Sequence, residues 1–250
     1  MSVRPPMRLL LASSMFAVTP ALRALVREPR GKSVAFIPTA SYAERYGGAG
    51  RLMAARLRML GMRVHVLDVA RVPARSSVGD GFSDTRQCEQ YRRAAHILRS
   101  ADMFYVCGGN TFYLLQELRE SGAADIIRER VMQGVPYVGE SAGSVVAAPD
   151  ISYIGLMDAR DKAPRLESTC GLSLIQGAVV PHVDSHMMGA EAKDILRLYG
   201  KYAPSSGACP TCAPVPFIPL RNDQALVVDG NRKRVVTHRT LAGALSRSWF

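Results

Sequence analysis

The chain has 250 residues, 48% of them hydrophobic and 21% charged, a balance that fits a folded globular protein and excludes a disordered or low-complexity one. Its formal net charge is +11 at pH 7, but the arginines are scattered, as in Arg45, Arg51, Arg56, Arg58 and Arg63, so the charge describes a solvated face and no nucleic-acid partner is expected. No apolar run approaches the ~18 residues of a membrane span, and no membrane partner is expected either.

Residues 7–18 loosely imitate a secretory signal after Arg4, yet the first part has strand length, and a core strand at 8–12 is the expectation. Further strand-length apolar runs follow at 33–38, 63–69, 103–106 and 136–139, alternating with helical patterns at 21–27, 43–60, 88–99, 111–119 and 123–132. Buried strands joined by helical crossovers predict an α/β fold, a mostly parallel sheet flanked by helices on both faces. Residues 79–84 form a polar loop and 203–216 a proline-rich surface excursion. Short strands are expected at 217–220, 225–228 and 234–237, with Asp229-Gly230-Asn231 as a hairpin turn. No repeat or linker divides the chain, so residues 1–250 are expected to form one domain.

The five cysteines, Cys88, Cys107, Cys170, Cys209 and Cys212, are odd in number and lack framework spacing, which predicts free thiols in a reducing, cytoplasmic compartment. Cys209-Pro210-Thr211-Cys212 has no second pair to complete a metal site, and neither metal nor cofactor is expected.

Chemistry concentrates at Gly139-Glu140-Ser141-Ala142-Gly143, directly after an apolar run. A strand that turns sharply into a helix lifts a serine hydroxyl clear of the backbone, and only small neighbours permit that turn. It also leaves the Ala142 amide at a helix N-terminus, where it can stabilise an oxyanion. Cys107-Gly108-Gly109-Asn110-Thr111 follows another strand and opens a helix, so its amides can join Ala142, and Asn110 or Thr111 can cap the helix. A serine nucleophile needs a base. Among His65, His96, His182, His186 and His238, the best placed is His182, which the buried pattern at 178–180 and Pro181 deliver to a strand end. His65 lies in a strand pattern and His96 in a helix, whereas His186, four residues beyond His182, can reach the same cleft.

Four motifs occur here in order: Phe36-Ile37-Pro38-Thr39-Ala40-Ser41, Gly108-Gly109-Asn110-Thr111-Phe112, Gly139-Glu140-Ser141-Ala142-Gly143 and Pro181-His182. In them the chain resembles the peptidase E (aspartyl dipeptidase) family, to which cyanophycinase is related. The resemblance runs over residues 7–236. It implies a fold similar to the class I glutamine amidotransferase domain, with Ser141 as nucleophile, His182 as base and the amides of Gly109 and Ala142 as oxyanion hole. The family's third member, an acid before a late strand, matches Asn222 without gaps, with Asp223 one place on as the acidic substitute. Asp158 resembles another family acid between nucleophile and histidine. The arginine with which Asp-X dipeptidases hold an acidic side chain is not matched in residues 188–194, where Lys193 is the one cation.

The expectation is therefore a serine peptidase acting on short peptides, dipeptidase-like and open to N-terminal Asp-X substrates, with a homodimer left open. Two alternatives stand beside it. One is an esterase-type α/β hydrolase using Ser141, Asp158 or Asp184, and His238; the other is a non-catalytic binding protein on the same scaffold.

Overall fold

The apolar runs up to residue 140 become five parallel strands. In the computed structural model, which describes residues 6–14, 21–22, 25–26, 28–44, 49–74, 85–203 and 213–237, these are β1 (Arg8–Ala12), β2 (Ser33–Ile37), β3 (Arg63–Val66), β4 (Met103–Val106) and β5 (Tyr137–Glu140). Two antiparallel strands, β9 (Gln224–Asp229) and β10 (Arg232–Thr237), complete a seven-stranded sheet in the order β10-β9-β1-β5-β4-β2-β3. Alternation at period two divides the core. Leu9, Leu11, Ala35, Ile37, Phe104 and Val106 face one layer, and Leu10, Ala12, Val34, Phe36, Met103 and Tyr105 the other.

The first layer contains α3 (Thr85–Ser100), α4 (Thr111–Glu120), α5 (Ala123–Met132) and α6 (Ala142–Val145). The second contains α2 (Ala49–Met59) together with Ala21, Leu22 and Leu25, the described helical residues of the pattern at 21–27. Helices therefore cover both faces of a mostly parallel sheet, as the α/β expectation requires.

Several boundaries differ. The pattern at 43–60 is not one helix: α1 (Thr39–Tyr42) begins earlier, α2 follows, and residues 45–48 between them lie outside the described residues, as does the loop expected at 79–84. Strand β3 stops at Val66 because Asp68 caps a 3-10 turn over Val69–Arg71, accepting from the Ala70 amide at 3.2 Å and from the Thr39 hydroxyl at 3.0 Å.

The late strands depart most. β8 (Val215–Pro219) starts two residues before the expected strand and does not enter the main sheet. It pairs in parallel with β6 (Ala178–Val180) and antiparallel with β7 (Tyr202–Ala203), forming a second, three-stranded sheet. Both ends of the expected excursion at 203–216 are thus strand, and residues 204–212, with Cys209 and Cys212, lie outside the described residues. The remaining helix, α7 (Gly189–Tyr199), follows β6. At the hairpin, Gly230 takes φ 58° as the first residue of a two-residue turn, the role glycine fills without a Cβ clash.

Cys88 and Cys107 are free thiols, but Cys170 is disulfide-bonded, which corrects the reading of five free thiols. Cysteine usage consequently no longer argues for a reducing compartment. Among the described residues no helix is long and apolar enough to cross a membrane, and no cluster of three or more His, Cys, Asp or Glu could hold a metal.

Candidate active site

The site gathers at the carboxyl ends of β1, β4 and β5, where parallel sheets collect functional groups. At the end of β5 the chain turns into α6 through Ser141, whose φ of 47° and ψ of −110° are strained for any residue with a Cβ. The surroundings over-determine this turn. The Ser141 amide donates to the Ala12 carbonyl at 2.9 Å, the Ser144 hydroxyl lies 2.8 Å from the carbonyls of both Ala12 and Gly139, and the Tyr137 hydroxyl donates to the Gly143 carbonyl at 2.6 Å. A Cβ on Gly139 would overlap the Gly143 carbonyl, and one on Gly143 the Val106 carbonyl. The small residues of the elbow are therefore a packing requirement.

Beside it lies the loop after β4. Gly109 adopts φ 137°, and a Cβ there would overlap the Ala40 carbonyl, to which the next amide, that of Asn110, donates at 3.1 Å. A Cβ on Gly108 would lie 3.1 Å from that of Ser141, so the loop packs against the elbow. Among the described residues the amides of Gly109 and Ala142 donate to no protein acceptor. Asn110 caps α4 by accepting from the Tyr113 amide at 2.9 Å, and its own amide group donates to the Ala159 carbonyl at 2.9 Å. Capping and open amides thus coexist in one loop.

His182 leaves β6 behind Pro181 with φ 64°. Its Nε2 lies 2.9 Å from Ser141 Oγ, and its Nδ1 lies 2.7 Å from Asn222 Oδ1. Burial holds the imidazole pKa below its ordinary 6.5, against the upward pull of the Asn222 hydrogen bond and the Asp184 charge. Asn222 sits in the turn between β8 and β9, where its amide donates to Asp184 Oδ1 at 2.8 Å and its carbonyl accepts from the Ser14 hydroxyl at 2.8 Å. The third position is therefore an amide. Asp223, the acidic substitute anticipated from the sequence, instead accepts from Arg221 Nε at 3.2 Å in an exposed ion pair.

The other candidates go elsewhere. Asp158 accepts from the Thr111 amide at 2.8 Å, at the N-terminus of α4. His65 and His96 are exposed on β3 and α3, His186 is exposed beyond His182, and His238 lies outside the described residues. Sequence reasoning missed Ser13. Buried at the end of β1, its hydroxyl accepts from the His182 amide at 2.8 Å. The available signal was the abrupt Ser13-Ser14 after four apolar residues, at the level of the sheet where the site forms.

Burial pushes the Asp158 carboxyl up to about 6, opposed by the Thr111 hydrogen bonds and assisted by Glu44. A carboxyl whose pKa is raised by folding binds more protons native than unfolded, so stability falls as pH rises from about 4 to 6 and the deficit persists above. Asp158→Asn keeps an acceptor for Thr111 without the buried charge. It is expected to stabilise the protein by about 1–2 kcal/mol at pH 8 and by little at pH 4, a difference that urea midpoints at the two pH values will read.

An α/β protein with a serine elbow facing a histidine belongs to a broad class of hydrolases. Comparison with known proteins narrows it. The sequence pattern of peptidase family S51 matches residues 9–236. An uncharacterized peptidase of Listeria monocytogenes is 34% identical over 235 residues, covering 92% of this chain and 98% of the relative. Peptidase E of Haemophilus influenzae is 35% identical over 150 residues, 57% of this chain and 59% of that enzyme. A crystal structure of a candidate peptidase E from L. monocytogenes superposes with a TM-score of 0.74 at 30% identity, covering 93% of this chain and 98% of that one. The chain belongs to peptidase family S51, and it is a serine-type peptidase.

Proposed function

We propose that this peptidase hydrolyses short peptides, dipeptides or tripeptides, through an acyl-enzyme formed on Ser141. The observation that carries the reading is the 2.9 Å contact between Ser141 Oγ and His182 Nε2 at the strained elbow. In the first step His182 takes the hydroxyl proton as the oxygen attacks the scissile carbonyl, and Asn222 Oδ1 accepts the Nδ1 proton of the resulting imidazolium. The open amides of Gly109 and Ala142 receive the oxyanion. The imidazolium then protonates the leaving amine, and water releases the acyl group by the same sequence reversed.

Specificity is proposed to be broader than N-terminal aspartate. Lys193, the one cation in residues 188–194, lies exposed on α7 and offers a point charge in place of the planar arginine fork that clamps a carboxylate. The test is hydrolysis of a dipeptide library containing Asp-X, Glu-X, Arg-X and neutral members, together with labelling by a fluorophosphonate followed by peptide mapping. Cleavage of several classes with the label on Ser141 is the expected result. Ester turnover without peptide cleavage would favour the esterase reading, and no labelling would overturn the acyl-enzyme.

A further inference from the structure

An amide in place of the acid poses a problem that Ser13 answers. In the serine-protease triad, exchanging the acid for its amide costs about 10⁴ in kcat because the imidazole is left in the wrong tautomer. An asparagine side chain has two nearly isosteric ends. If its NH2 faces the imidazole, Nδ1 must accept, Nε2 carries the proton, and the ring cannot take one from serine. A carboxylate presents an acceptor from either oxygen and has no such ambiguity.

The proton positions around Asn222 follow from the geometry. A contact of 2.7 Å between His182 Nδ1 and Asn222 Oδ1 needs a proton, and only the ring nitrogen can supply it. Ser13 Oγ lies 3.4 Å from each of these atoms while it accepts from the His182 backbone amide at 2.8 Å. With Nδ1 already a donor, the Ser13 proton has Asn222 Oδ1 as its remaining acceptor. Oδ1 thus receives two donors, one from the ring and one from Ser13. If the Asn222 amide turned over, its NH2 would meet the Ser13 hydroxyl and one donor would lose its acceptor. The Asn222 NH2 itself has no protein acceptor among the described residues, so no other contact resists the turn. Backbone contacts to Asp184 and Ser14 fix where the residue sits but not which end of the amide faces His182.

We infer that Ser13 is a positioning residue that selects the Oδ1-facing orientation of Asn222, and through it the tautomer of His182 that can accept the Ser141 proton. This rests on the proposed acyl-enzyme chemistry at Ser141. It makes the orienting machinery of this peptidase a neutral serine-asparagine pair. The charged groups around the imidazole are Asp184 on its own loop and the Arg221–Asp223 ion pair on the turn that carries Asn222; Glu140, next to Ser141, turns its carboxylate to the Tyr105 hydroxyl at 3.0 Å.

The test is a double-mutant cycle on a dipeptide that the wild type cleaves, with pH profiles of kcat/KM for Ser13→Ala, Asn222→Asp and the double variant. In the Asn222 background, Ser13→Ala is expected to lower kcat about 10²- to 10⁴-fold with KM little changed, since the tautomer error acts on chemistry and not on binding. In the Asn222→Asp background the same change is expected to cost less than about fivefold, a coupling that only neighbouring groups produce. Asn222→Asp alone should move the acidic limb of the profile upward, because a carboxylate stabilises imidazolium more than an amide does. An equal loss from Ser13→Ala in both backgrounds would overturn the inference, leaving Ser13 as an anchor for the His182 backbone. Fluorophosphonate labelling of Ser141 in the wild type separates this failure from failure of the acyl-enzyme reading itself.

Discussion

Ser141→Ala is expected to lower kcat by roughly 10⁶-fold while leaving a residual acceleration from the oxyanion amides and from binding. KM should change little, because the lost hydroxyl acts in bond making and the groups that hold the substrate remain. Steady-state kinetics on a cleaved dipeptide, with active-site titration to exclude contaminating wild type, provide the measurement. The same position carries a stability expectation. Alanine keeps the Cβ that φ 47° and ψ −110° disfavour, whereas glycine adopts this conformation freely. Ser141→Gly should therefore exceed Ser141→Ala in stability by about 1 kcal/mol in urea unfolding, after its greater unfolded-state entropy is set against a strain of about 1–3 kcal/mol. Equal midpoints would mean that the elbow stores no strain.

The largest effect on folding is expected from Gly143→Ala. The new methyl would overlap the Val106 carbonyl, a backbone atom that no rotamer change can move away. Relief requires separating α6 from β4, which disturbs the elbow and the parallel pairing of β4 with β5. A loss of at least about 3 kcal/mol is expected, at the upper end of overpacking effects. Gly155→Ala is the matched control: its Cβ would meet only the Phe112 ring at 4.0 Å, an ordinary contact, and a change within about 0.5 kcal/mol is expected. Urea midpoints with unchanged slopes for both variants will check the contrast.

How much of this was legible in the sequence depended on distance along the chain. The runs that became β1, β2, β4 and β5 carry their burial locally, since a strand covered on both faces is apolar almost throughout, and Ser141 announced itself through the small residues around it. His182 could be selected because Pro181 ends the strand before it. The partner of β8 could not be read, because period-two patterning reveals a face and not a neighbour, and pairing with β6 reaches back 39 residues, from Phe217 to Ala178. The choice between Asn222 and Asp223 was hidden for a related reason. Adjacent turn residues point in different directions, and only the fold shows that Arg221 takes one of them and His182 the other. Ser13 is separated from His182 by 169 positions, and although the Ser13-Ser14 pair after an apolar run marks the end of a strand, it does not say which distant residue the hydroxyl meets.

The three aligned side chains stand on ground of unequal firmness. Ser141 is locked at the end of a buried strand, where a side chain added at Gly139 or Gly143 collides with backbone. Asn222 rides on a short turn that leaves the small sheet at β8 and enters the large one at β9, its place held by hydrogen bonds to Asp184 and Ser14 and not by a packed core. Turns of this kind accept new side chains at little cost to the fold. In the proposed acyl-enzyme reading the nucleophile is thus the rigidly held half of the machinery and the orienting residue its adjustable half, so that the acidity range of catalysis is expected to be retunable at one position without rebuilding the scaffold.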